Sequence, residues 1–106
     1  MAYEEAQRRI AAAKAAGARE LDLAGLELEG LPPQLWELEG LEVLVLGKWD
    51  DYQGYVDNKL SQLPPEIGQL TSLQQLDLSG NQLRTLPPEI GQLTSLQQLD
   101  LSGNQL

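Results

Sequence analysis

Leucines recur along this chain at two spacings, a short one within each segment and a long one between segments. In LQQLDLS, Leu76 and Leu78 alternate with Gln75, Asp77 and Ser79. A period of two sends apolar and polar side chains to opposite faces of an extended strand. The landmark L-x-x-L-x-L occurs as LEVLVL from Leu41 and as LQQLDL from Leu73 and Leu96, with a diverged form, ARELDL, from Ala18. Short strands are therefore predicted around Leu21, Leu44, Leu76 and Leu99. Between them, Leu73, Leu83, Leu86, Ile90 and Leu93 add apolar positions that one unit cannot bury alone, so neighbouring units must stack.

The long spacing is regular with one exception. The landmarks start at residues 18, 41, 73 and 96, at intervals of 23, 32 and 23. The block LPPEIGQLTSLQQLDLSGNQL, Leu63 to Leu83, returns unchanged from Leu86 to Leu106. Aligning Asn58 with Asn81 places GKWDDYQGYVD, Gly47 to Asp57, where the later unit has only Ser79 and Gly80. The second unit thus holds a nine-residue insertion within residues 47–57. Asn58, Asn81 and Asn104 are expected at the turn leaving each strand, where a buried amide can serve backbone groups of its own and the adjacent unit. Pro64-Pro65 and Pro87-Pro88 remove amide donors as the chain turns away, opening a short helical or extended segment EIGQLTS.

Ahead of the repeats, Tyr3 to Ala16 reads as a helix: alanine-rich, acids in the first turn, bases later, and Gly17 as its stop. Tyr3, Ala6, Ile10 and Ala13 share one face, which fits a cap over the coil starting near Ala18. The domain reading is a single unit over 1–106, with a capping helix in 1–17 and repeats in 18–106.

The pattern L-x-x-L-x-L-x-x-N-x-L followed by L-P-x-x-[IL]-x-x-L resembles the leucine-rich repeat family in its 23-residue intracellular, Ras-group-related form. YEEAQRRI leading through GARELDL is similar to the start of the leucine-rich domains of bacterial Roco-type proteins, although no G-x-x-x-x-G-K-[ST] loop of a GTPase is present. The resemblance implies an α/β solenoid whose parallel strands line a concave face, and a protein-binding function. Perfect copies, with no polar coil after Leu106, point to an engineered, consensus-type or truncated array.

Composition narrows the chemistry. Sixteen Asp+Glu against seven Lys+Arg leave a net charge of −9, which repels nucleic acid and anionic membranes, so neither is expected as a partner. A basic protein would be attracted, while solubility alone also accounts for an acidic surface. Cysteine and histidine are both absent, which removes disulfides, thiolate nucleophiles, Ser-His-Asp triads and the usual zinc ligands. Asp50, Asp51 and Asp57 lack the spacing of a calcium loop. No catalytic, cofactor-binding or metal-ligating residue is assigned, and no enzyme activity is expected. No signal peptide and no apolar run of membrane-spanning length is recognisable, so the expected location is cytoplasmic.

Two candidate surfaces follow. The insertion concentrates Trp49, Tyr52 and Tyr55, and the concave face carries Val43, Val45, Gln75, Asp77, Gln98 and Asp100. Val43 and Val45 stand where other units have polar residues, so the inserted loop either folds back to cover them or joins them in a partner-binding patch. At the other end of the stack, Leu93, Leu96, Leu99, Leu101 and Leu106 are candidates for self-association. There two chains would pair Gln98 to Leu101 antiparallel about a two-fold axis, giving a homodimer. Trp36, in the place of Gly68, is expected to pack on a neighbouring coil.

Overall fold

The computed structural model describes residues 2–106; Met1, the first residue of the expected capping segment, lies outside the described residues. Helix α1, Ala2–Ala16, leads into strands β1 (Glu20–Asp22), β2 (Val43–Asp50), β3 (Gly54–Val56), β4 (Gln75–Leu78) and β5 (Gln98–Asp100). Three 3-10 helices, Pro33–Glu37, Pro65–Gln69 and Pro88–Gln92, return the chain between strands on the convex side. Each opens at the second proline of its pair, whose fixed φ suits a first helical position that needs no amide donor.

The main sheet is parallel in the order β1-β2-β4-β5. Its register pairs Leu21 with Leu44, Leu44 with Leu76, and Leu76 with Leu99, so the four repeats form four coils of one ladder in the expected phase. Period-two burial holds that register, because a slip by one residue would turn every leucine outward. Leu44, Leu46, Leu76 and Leu78 are buried, as are Leu41, Leu60, Ile67, Leu70 and Leu73 from the rest of the coils. The core is therefore one continuous stack of leucines.

Helix α1 closes the first coil with Ala6, Ile10 and Ala13, all buried, whereas Tyr3 from the same expected face is exposed. It stops in paired bonds, Ala18 N–H to the Ala13 carbonyl at 2.9 Å and Gly17 N–H to the Lys14 carbonyl at 3.3 Å, the Schellman arrangement. Trp36 is buried on the convex side beside this helix.

The asparagines form a second ladder. Asn58 Oδ1 accepts from Leu26 and Leu28 N–H at 3.2 and 3.0 Å, and its Nδ2 donates to the Leu23 and Leu46 carbonyls, both at 2.9 Å. Asn81 accepts from Leu60 N–H and donates to the Leu46, Leu78 and Ser79 carbonyls. Each amide therefore ties its own coil to the one before. Leu26 occupies this position in the first coil, where helix α1 rather than an earlier coil is the neighbour.

Candidate functional site

The inserted segment is a β-hairpin. Strand β2 runs past the ladder to Asp50 and pairs antiparallel with β3, joining Lys48 to Val56 and Trp49 to Tyr55. The reason lies in one residue. In the other coils Asp22, Asp77 and Asp100 each accept an N–H two residues on, from Ala24 at 2.8 Å, Ser79 at 3.0 Å and Ser102 at 2.9 Å, and so fold the strand end into a tight turn. The second coil has Val45 in this place. With no carboxylate to start the turn, the chain stays extended until Asp50, whose Oδ1 accepts from Tyr52 and Gln53 N–H at 2.8 and 3.0 Å and closes the hairpin.

Both faces of the hairpin are anchored. Lys48 Nζ reaches Asp22 Oδ2 at 2.8 Å, and Val56 packs so closely on Gly25 that an added Cβ there would lie 2.9 Å from Val56 Cγ1. Those contacts face the first coil. On the opposite face, Tyr55 lies across the turns of the third and fourth coils: Cβ atoms added at Gly80 and Gly103 would stand 2.8 Å from Tyr55 Cβ and 2.6 Å from its Cζ. Both glycines also hold φ at +73°, a conformation that disfavours side chains. Trp49 meets Tyr55 edge-on with ring centroids 5.0 Å apart, and its Nε1–H donates to Asp51 Oδ1 at 3.2 Å.

Of the two readings of the insertion, cover over Val43 and Val45 is not what the fold shows: beyond a bulge between Val45 and Gly47, β2 runs on to pair with β3, and the hairpin leans on the strand-end turns instead. The two valines remain half-buried in the floor of an open depression of about 170 Å³ on the concave face, rimmed by Gln75, Asp77, Gln98 and Asp100. None of Trp49, Tyr52 or Tyr55 lines it. Tyr55 is committed to Gly80 and Gly103 yet still 40% exposed, Trp49 is 60% exposed and Tyr52, at the hairpin tip, 98%. The aspartates have a structural duty that their sequence position alone did not disclose, and Asp100 keeps its carboxyl below the ordinary aspartate range chiefly through the Ser102 backbone N–H and the Ser102 hydroxyl.

At the far end, Leu93 is buried and so drops out of the open set, Leu96 and Leu101 are half-buried, and Leu99 and Leu106 are 37% and 58% exposed. Among the described residues no group of three or more acidic side chains gathers as a metal site, and no helix is long and apolar enough to cross a membrane.

Residues 56–106 match the family described as Leucine rich repeat. The fold is a leucine-rich repeat solenoid. Among solved structures the chain is similar to a leucine-rich repeat protein of Leptospira interrogans, with 30% identity over 89% of this chain and a TM-score of 0.49; it spans 34% of that protein. The comparison with curated proteins gives no match. Leucine-rich repeat proteins generally act as protein-interaction scaffolds. In the present chain the strand-end hairpin is the departure from the repeat, and it sets exposed aromatic side chains beside the concave sheet.

Proposed function

We propose that this leucine-rich repeat is a non-enzymatic scaffold that binds a protein partner through the hairpin aromatics and the concave depression together. The observation that supports it most is the state of Trp49 and Tyr52: large rings held in the open on a hairpin whose other contacts are fixed. Aromatic side chains in that setting offer large contact area at little ordering cost. The valine floor accepts an aliphatic stem, and the rim of Asp77 and Asp100 on a chain of net charge −9 suits a cationic head, so the partner surface carries Lys or Arg. A cytoplasmic location, an idealised origin for the identical repeats, and kinship with the 23-residue intracellular and Roco-type forms belong to the same proposal.

The test is selection of binders from a random peptide library, followed by titration on variants. Basic peptides should be enriched and should weaken as salt rises. Trp49→Ala with Tyr52→Ala should abolish that binding while the protein stays folded, with stability lowered by no more than about 1.5 kcal/mol for the lost Trp49–Tyr55 ring contact. Enriched peptides that bind the double variant as tightly as the parent would sink the proposal.

A second reading, association of two copies through Leu96, Leu99, Leu101 and Leu106, is favoured by the exposure of Leu99 and Leu106. Sedimentation at high micromolar concentration tests it directly.

A further inference from the structure

Between the asparagine turn and the convex 3-10 helix the chain passes down one side of the stack. The second and third coils do so through Ser61-Gln62-Leu63-Pro64 and Arg84-Thr85-Leu86-Pro87. Just before these stretches the coils are tied together, Gln82 N–H to the Leu60 carbonyl and Gln105 N–H to the Leu83 carbonyl, both at 2.9 Å. Leu63 and Leu86 each precede a proline, which keeps them extended, and the paired prolines offer no amide with which to continue a ladder. Among the described residues, Ser61, Gln62, Arg84 and Thr85 consequently make no hydrogen bond or ion pair through backbone or side chain. An open groove of about 530 Å³ crosses the coils there, lined by these four with Gln82 and Gln105.

The charge of this groove is the reverse of the chain's. Arg84 is the one charged residue in the lining, and Lys59 stands one coil before Gln82 in the same column. Among the described residues neither cation meets a carboxylate, whereas Arg8, Arg9, Lys14, Arg19 and Lys48 all do. Of the acids, only Glu66, Asp77, Glu89 and Asp100 follow Asn58 in the sequence. Asp77 and Asp100 belong to the strands of the concave face, and Glu66 and Glu89 to the 3-10 helices of the convex side. The side between them is left to the two cations.

We propose that this side groove binds an extended acidic peptide. One peptide carboxylate takes the paired N–H groups of the Arg84 guanidinium, and a second reaches the Lys59 ammonium. The peptide backbone meets the unbonded amides and carbonyls of Ser61, Gln62, Arg84 and Thr85. Side-chain amides of Gln82 and Gln105 add both donors and acceptors, which is what a peptide backbone requires of its partner. No aromatic residue is among those lining the groove, so it offers a sugar ring or a nucleobase no face to stack on. Acids elsewhere on the chain oppose the peptide little, because exposed charges more than about 8 Å apart are largely screened at physiological ionic strength. The groove is separate from the concave depression and from Trp49 and Tyr52, and stands whether or not that surface binds a partner.

The test is fluorescence anisotropy with a dye-labelled, N-acetylated heptapeptide of alternating Thr and Glu, set against the same peptide with Gln in place of Glu, and NMR of the protein amides. The Glu peptide should bind saturably and shift the amides of Ser61, Gln62, Arg84 and Thr85. Arg84→Gln should weaken that binding about tenfold, through loss of the charged pair. Its melting temperature should match the parent's, since Arg84 is exposed and unbonded. Trp49→Ala with Tyr52→Ala should bind the Glu peptide as tightly as the parent, which separates this groove from the aromatic surface. Absence of binding, equal affinity of the Gln peptide, full affinity of Arg84→Gln, or shifts confined to the hairpin each overturns the proposal. So does an oligogalacturonate that occupies the groove more tightly than the peptide, which would make it a saccharide site.

Discussion

At the scale of single residues, the positions that matter most are those where two coils touch through one atom. A Cβ at Gly47 would stand 2.0 Å from the Ser79 carbonyl oxygen, at the bulge where β2 leaves register with β4 between Val45 and Gly47. Since backbone cannot give way as a flexible side chain can, Gly47→Ala should cost roughly 2 kcal/mol or more, read from urea unfolding. Asn81 is buried and fully bonded. Asn81→Ala strands the Leu60 N–H and up to three carbonyls, and a loss of about 2–4 kcal/mol is expected in the same measurement. Tyr55 and Gly103 provide a test of the hairpin's anchoring. Gly103→Ala combines backbone strain with a clash against the Tyr55 ring, whereas in a Tyr55→Ala background only the strain remains. A double-mutant cycle should therefore give a coupling of about 1 kcal/mol, and a coupling near zero would mean the ring does not sit on that turn.

At the scale of elements, the aspartate that ends a strand decides whether the chain turns or runs on. Asp100 is held below the ordinary aspartate range by the Ser102 N–H and hydroxyl. A depressed carboxyl stabilises the folded state above its unfolded value, and that contribution is lost as pH falls through its folded value. Asp100→Asn should accordingly lower stability most at neutral pH and flatten the acid limb, the variant and parent converging as pH falls below the ordinary aspartate range, as followed by thermal melts across pH. Val45 is the converse case. Deleting residues 48–56 shortens the second unit to the common period, but leaves its strand end without an acceptor. Adding Val45→Asp to that deletion should recover about 1 kcal/mol, the usual worth of one such bond. Equal stability of the two deletion variants would show that the carboxylate is not what makes the turn.

At the scale of the molecule, stability in a stack comes from each unit and its boundaries, so it is graded along the axis. The first coil is covered by α1 and the middle coils by both neighbours, while β5 is exposed at every residue. Amide exchange should be fastest in residues 98–106 and slowest in β2 and β4, with local opening of the last coil preceding global unfolding. The chain is acidic overall, with 16 Asp+Glu against 7 Lys+Arg, and its few cations are largely engaged locally. Arg8 and Arg9 meet Glu5, Lys14 meets Glu37 at 2.7 Å, and Lys48 meets Asp22. Such exposed pairs add little stability one by one. Among the described residues their arrangement leaves the concave aspartates of the third and fourth coils without a paired cation, which is where a basic partner is proposed.

What the sequence determined by itself is the phase. Alternation around Leu44, Leu76 and Leu99 allows one burial register, the asparagines fall where a coil must be tied to its neighbour, and Ala6, Ile10 and Ala13 recur at helical spacing, so strand positions, stacking order and cap were all legible. Periodicity reports on burial that repeats, and these elements are bound by it. The path of the insertion was not legible, because residues 47–57 repeat nothing. Their placement rests on Gly25, Gly80 and Gly103, contacts far along the chain that exist only after the coils have stacked. Tertiary structure alone decided that the hairpin stands on the strand-end turns, leaving Val43 and Val45 open, and gave the concave aspartates their turn-making role. Local pattern fixes which side chains are buried; the direction of a segment outside that pattern is fixed by what the assembled fold offers it to lean on.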